Sequence, residues 1–310
     1  MAVTQTDEQE ASQRGAGPLA TFGPELALLL VMVLWASTFV VTKDTIEQIR
    51  PLAFITIRFS LMTLLAVGVL IVGTRGKRGM RLIRRADIPH FALASLTGFT
   101  LYQLGFVFGV QHTSAFSAAL LIALIPVHTL IILALRHERT PPFAWIGVGI
   151  ALAGVVVFLL DKRGSGGNDL LGDALSLAAG LSFAIYGLVN RPLVQRYPPA
   201  TYTAYSILFG TIPLVIIGLP ATIAQDWGAV SAGAWLAVIY MVIFPVYIAY
   251  MLFNWAISRR GAAEASSFTL LEPIFSGILS ALIFHEAFGA TKLAGAALVL
   301  AGLAAMRTRR

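Results

Sequence analysis

The sequence predicts an all-α integral membrane protein with ten transmembrane helices, arranged as two inverted five-helix repeats. Three observations predict it: a composition too apolar for water, a series of long apolar blocks, and landmarks that recur at a fixed spacing. Of the 310 residues, 57% are hydrophobic and only 12% charged, against about 25% charged in a soluble domain. The chain is long enough for two soluble domains but lacks the polar surface to solvate them. Its apolar blocks approach the roughly 20 residues that a helix needs to cross a bilayer. Strands of a membrane β-barrel would alternate apolar and polar over about 10 residues, and these blocks do not.

Residues 1–24 are polar and mixed, and read as a disordered tail. The first apolar run begins near Glu25 with only Arg14 ahead of it, which argues against a cleaved signal peptide. Apolar segments follow at 25–42, 52–72, 89–110, 114–135 and 143–160, then at 172–190, 200–219, 233–256, 262–284 and 290–306. The two repeats therefore occupy 25–160 and 172–306, joined by a linker over 161–171 and followed by a basic end at 307–310.

Loop charge sets the orientation. With the N-terminus in the cytoplasm, sixteen of the 22 lysines and arginines fall on that side, six of them between Arg75 and Arg85. Five (Lys43, Arg50, Lys162, Arg163 and Lys292) fall on the other, and Arg58 lies within a segment. This positive-inside bias predicts a multi-pass protein of the cytoplasmic membrane with both termini cytoplasmic. It also supports ten crossings, because removing one would invert every later loop.

The halves echo each other. His137-Glu138 and His285-Glu286 are 148 residues apart, as are Gly147 and Gly295, and Gly154 and Gly302. Pro126 and Pro273, both mid-segment, are 147 apart. Five crossings per half make the second half enter the membrane in the opposite sense, an arrangement common in secondary transporters.

The sequence resembles the drug/metabolite transporter superfamily, of the EamA type, from about Leu26 to the C-terminus. The resemblance rests on Trp35-Ala36-Ser37-Thr38-Phe39-Val40-Val41-Thr42-Lys43, on Pro51-Leu52-Ala53-Phe54 leading to Arg58, on Leu271-Glu272-Pro273-Ile274-Phe275 and on the His285-Glu286 segment end. It departs at Trp-Ala-Ser-Thr, where such families often carry Trp-Gly-Ser-Asn, so Thr38 offers a hydroxyl in place of an amide. The resemblance implies a transporter of amino acids or other small metabolites, usually an exporter, working without ATP hydrolysis.

Ionisable residues inside a membrane are costly and are candidate sites by default. Glu272 lies mid-segment beside Pro273, on a small polar stripe with Ala262, Ala265, Ser266, Thr269 and Ser276. A proline there frees a backbone carbonyl one turn earlier. Glu272 is the candidate proton-coupling residue, and a structural carboxylate is its alternative. His128 follows Pro126 on the repeat-equivalent segment. Arg58 can pair with Glu272, meet an anionic substrate group, or snorkel to the interface. Trp35, Thr38, Tyr102, Tyr186, Asn190, Tyr250 and Asn254 are candidate lining, with helix packing as the alternative for each stripe. Gly98, Gly105 and Gly109 share a face with Tyr102, and small residues let membrane helices approach closely.

Other functions fit less well. No Gly-x4-Gly-Lys-Ser/Thr loop is present for a nucleotide-driven pump. The five histidines are scattered, and there is no cysteine. No metal site or cofactor is expected, and the loop-borne basic residues argue against nucleic acid. The partners expected are a small-molecule metabolite, the lipid bilayer and protons, with facilitated efflux down the substrate gradient as the alternative drive. A polytopic membrane enzyme and a passive channel are the rival readings.

Overall fold

The computed structural model describes residues 18–75, 83–138, 140, 142–160, 169–260, 268–286 and 288–306. The expected tail over 1–17, linker residues 161–168, the basic end at 307–310 and the stripe residues Ala262, Ala265 and Ser266 lie outside them.

The regular structure among the described residues is helical. The first helix, α1 (Pro18–Thr45), starts seven residues before the expected boundary at Glu25 and carries Pro24 within it. It is followed by α2 (Pro51–Arg75), which opens on a proline, where the missing N–H costs nothing. The run α3 is composite: Ile88–Ser95, then a π-helical stretch Leu96–Leu101, then Tyr102–His112. The run α4 is broken, ending at Ile122 and resuming over Ile125–Leu135 with Pro126 at the restart. Ser114 caps its start by accepting from the Ser117 N–H at 3.0 Å, satisfying one of the donors a helix start leaves unpaired. Next come α5 (Ala144–Leu160) and α6 (Asp169–Val189), then a short helix Arg191–Arg196 and α7 (Pro199–Ile223). The run α8 is composite like α3: Ala232–Val242, π-helical Ile243–Ile248, then Ala249–Arg260. The run α9 begins as a 3₁₀ turn at Phe268–Leu270 and continues as Leu271–Phe284, with Pro273 near the restart. The last is α10 (Ala290–Ala305). Six of these runs (α1, α2, α3, α4, α6 and α7) are long and apolar enough to cross a membrane, and four shorter apolar runs accompany them.

Several pairings fix the bundle. On α5 and α10, a Cβ on Gly147 would lie 2.6 Å from the Gly302 carbonyl, and one on Gly154 would lie 2.9 Å from that of Gly295. The pairing is antiparallel and reciprocal. The α2–α7 pair is antiparallel too: Thr56 Oγ1, which donates to the Leu52 carbonyl, comes within 3.4 Å of the Leu214 carbonyl, and Thr63 Oγ1 donates to Thr211 Oγ1 at 2.9 Å. Thr63 and Thr211 are 148 residues apart. The third pair is α3–α6, where Gly105 meets Leu175 and Ala179 and Gly109 meets Ser176. The stripe of Gly98, Gly105 and Gly109 is therefore a packing face. The largest core cluster joins α1, α2, α3, α4 and α7 around Phe39, Phe54, Phe59 and Phe106.

The backbone irregularities recur at the spacing of the sequence landmarks. The π-helical stretches begin at Leu96 and Ile243, 147 residues apart. Pro126 stands in the first turn where α4 resumes, and Pro273 in the first turn of the α-helical part of α9. His137 and His285 are the left-handed non-glycine residues among those described, at φ 57° and 54°, each just past the end of its helix. The side chain bonded into each π-helical stretch also recurs. Trp35 Nε1 donates to the Pro245 carbonyl at 3.0 Å, and Ser182 Oγ to that of Thr97 at 3.0 Å. A π-helical turn leaves such a carbonyl without its usual partner, and π segments cluster at functional sites.

Candidate functional site

The sequence-predicted residues fall into two groups. In the first, α1, α8 and α9 meet. Trp35 packs its ring on Phe253 at 5.1 Å between centroids, while its N–H holds the π-helical stretch of α8. Phe268, Leu271 and Phe275 pack against the same cluster. Thr38 does not project a free hydroxyl, because its Oγ1 donates to the Trp35 carbonyl at 2.6 Å. Ser37 reaches across to the Tyr240 hydroxyl at 2.7 Å. Thr269 sits half-buried in the 3₁₀ turn just before Glu272. The backbones of Tyr250 and Asn254 lie on α8, and their side chains lie outside the described residues.

In the second group, α3, α4 and α6 meet. Tyr102 stacks on Phe106 at 6.1 Å and leans on Phe183 at 5.0 Å; Phe183 leans on Tyr186 at 5.1 Å. The Tyr186 hydroxyl accepts from that of Tyr202 at 2.9 Å. Tyr186 also lies over Gly98, where any Cβ would overlap its ring. His128 points at Gly180 of α6, its ring 3.4 Å from where a Cβ there would stand. Its Nδ1 is buried without a hydrogen-bond partner. Asn190 closes α6: its N–H reaches the Tyr186 carbonyl at 2.9 Å, and its own carbonyl accepts from Leu193 and Val194. Phe39 of α1 meets Phe106 of α3 edge-on at 5.1 Å and links the two groups.

Glu272 stands in the first turn of the α9 helix, half-buried. Its carboxylate forms no ion pair with Arg58. Arg58 is only 7% exposed, and its Nε and Nη1 are buried without hydrogen-bond partners. The guanidinium lies 6.0 Å from the Phe54 ring centroid, and its electrostatic neighbour is the Tyr102 hydroxyl.

Sequence reasoning missed the polar clasps at the two ends. At one end, Lys43 Nζ donates to the Thr113 carbonyl at 2.6 Å, and Thr113 Oγ1 to Asp173 Oδ1 at 2.9 Å. Ser276 Oγ donates to the Ala115 carbonyl at 3.2 Å. Nearby, Lys292 Nζ lies 5.1–5.8 Å from the ring centroids of Phe288, Phe116 and Phe158. At the other end, buried Asp87 pairs with Arg196 and accepts from the Tyr197 hydroxyl at 2.5 Å. The Arg84 N–H donates to that same hydroxyl at 2.9 Å. One signal existed for the first clasp: Asp173 stands 148 residues after Glu25, at the start of the equivalent segment. No group of three or more metal-ligating side chains occurs among the described residues.

A bundle of apolar helices, six of them long enough to cross a membrane, is the architecture of a multi-pass membrane protein. The chain belongs to the EamA-like transporter family, whose model matches it twice, over residues 23–160 and 170–308. It is 26% identical over 279 residues to an "uncharacterized transporter" of Archaeoglobus fulgidus, covering 90% of this chain and 96% of that one. It is also 26% identical over 284 residues to a "probable terminal-alkyne amino-acid exporter" of Streptantibioticus cattleyicolor, covering 91% and 93%. A solved structure titled only as the crystal structure of a protein shares the fold at a TM-score of 0.61 and 18% identity, covering 91% of this chain and 95% of that one.

Proposed function

We propose that this chain is a secondary transporter of the cytoplasmic membrane that exports a small metabolite by alternating access between two inverted five-helix halves. The observation that carries the reading is the recurrence, at 147 residues, of the π-helical stretches and of the prolines in the first turns of the second part of α4 and of the α-helical part of α9. Irregular backbone at membrane depth is tolerated only where it is buried in protein or lines an aqueous path. Two equivalent sets of it are what a carrier needs if each half is to rock against the other. The double family match supports the same division, and the six long and four shorter apolar runs support ten crossings. Loop charge supports cytoplasmic termini, which places the Lys43 clasp outside and the Asp87 clasp inside.

Glu272 is the proposed proton-coupling group. It lies where the 3₁₀ turn of α9 passes into its α-helix, half-buried, with neither a hydrogen-bond nor an ion-pair partner among the described residues. A carboxylate in that setting is free to gain and lose a proton as its surroundings change. Amino acids are the first substrates to try, given the named activity of the Streptantibioticus relative.

The test is uptake and efflux of a labelled metabolite panel in proteoliposomes, with and without an imposed pH gradient. Accumulation that responds to the gradient is the expected result. Absence of any flux from folded, correctly inserted protein refutes the transporter reading and moves weight to a membrane enzyme. Equilibration that never concentrates solute points to a passive channel.

A further inference from the structure

Arg58 is the eighth residue of α2, about 10 Å along the axis from the helix start at 1.5 Å per residue. It lies within the apolar stretch Pro51–Gly68. Arginine does not shed its proton in a protein, so burial cannot neutralise it as it can lysine. A buried charge needs a partner, yet Nε and Nη1 have none, and among the described residues no carboxylate forms an ion pair with the group. Phe54 offers a ring and Tyr102 a neutral hydroxyl. From α7, which packs along α2, the nearby hydroxyl of Thr211 is bonded to the Ile207 carbonyl, and on α2 itself that of Thr56 is bonded to the Leu52 carbonyl.

A fixed guanidinium presents its N–H groups as a planar fork, the geometry that matches a carboxylate. Phosphate fits the same fork, but it carries more charge and is more strongly hydrated, so bringing it to a single arginine in an apolar setting costs more desolvation. Tyr102 heads the ring row Tyr102–Phe183–Tyr186, with centroid separations of 5.0 and 5.1 Å. Such a row suits an apolar or aromatic body.

We propose that Arg58 is the subsite for a single carboxylate on the transported solute, with Tyr102 and the ring row behind it receiving that solute's apolar or aromatic body. This rests on the transporter reading and narrows it to monocarboxylate solutes. Glu272, which Arg58 does not neutralise, stays available for proton coupling.

The probes are 3-phenylpropionate, its neutral amide, the related 3-phenylpropylamine, and inorganic phosphate and chloride at matched ionic strength. Ligand-dependent thermal shifts of the full chain in detergent give apparent affinities. The carboxylate is expected to bind at least about tenfold more tightly than the amide or the amine, as a charge-assisted fork requires. Arg58→Gln is expected to erase that preference, and Arg58→Lys to weaken it. If Arg58→Gln does not fold, the wild-type ligand series decides alone. Equal response to amide or amine, equal response to phosphate or chloride, a carboxylate preference that survives Arg58→Gln, or no response to any probe overturns the proposal. Proteoliposome flux separates the two readings. Flux of a solute lacking a carboxylate sinks the subsite and leaves the transporter standing, whereas no flux of any solute sinks the transporter.

Discussion

Trp35 and Ser182 occupy equivalent positions and each holds a carbonyl inside a π-helical stretch, one with an indole and the other with a hydroxyl. Replacing Trp35 by Phe deletes the indole N–H and part of the ring packed on Phe253, so the cost should exceed that of one buried hydrogen bond, about 1 kcal/mol, by the lost packing. Ser182→Ala removes one hydrogen bond and should cost about 1 kcal/mol, and the two changes should add, because the bonds share no partner. Thermal melts of the single and double variants in detergent measure both. Glu272→Gln should leave insertion and folding intact and remove the dependence of flux on a pH gradient. An unchanged pH response in that variant would falsify the coupling role. The sequence pointed to Trp35 and Glu272 through their chemistry. It could not reveal what Trp35 bonds to, because a π-helical turn leaves no mark in hydrophobic periodicity. Nor could it reveal that the Thr38 hydroxyl turns back to its own helix.

At the level of the helices, the breaks were legible and their cause is local. Pro126 and Pro273 cannot donate to the preceding turn; α4 resumes beside Pro126, and the α-helical part of α9 opens beside Pro273. The glycines marked close approach, and α5 and α10 do meet through Gly147, Gly154, Gly295 and Gly302. What the sequence left open was the partner of each face, which depends on contacts far apart in the chain. A Cβ on Gly154 would stand 2.9 Å from the Gly295 carbonyl, where backbone cannot give way. Gly154→Val should therefore destabilise by about 1–3 kcal/mol through overpacking, with Gly149→Ala, which meets nothing within 4 Å, as the neutral control. The Asp87 clasp ties the start of α3 to the connection between α6 and α7. Asp87→Ala should cost roughly 1–3 kcal/mol by leaving the Tyr197 hydroxyl without its acceptor in a buried site. Thermal melting of each variant checks both expectations.

Across the whole molecule, the helical membrane architecture was readable because composition and block length leave few alternatives. The end closures were not, since Lys43, Thr113 and Asp173 lie 60 and 70 residues apart along the chain and come together only through packing. If rocking opens the Lys43 end, joining α4 to α9 there should stop transport. The chain has no cysteine, so Ala115→Cys with Ser276→Cys gives a clean pair at a contact of 3.2 Å. Treatment with a short bifunctional thiol reagent should abolish flux in the double variant and spare both single ones. Full flux from cross-linked protein would show that this contact does not open during the cycle.

The reciprocal meeting of α5 and α10 has a consequence for how such a chain could have arisen. Each helix presents to the other the same two glycine positions, so neither half needs a surface that the other lacks. A gene encoding only the first 160 residues would already carry a self-complementary seam. Two copies inserted in opposite senses would close it with the same contacts. Under the proposed inverted arrangement, covalent fusion would leave that seam unchanged while the two halves diverged.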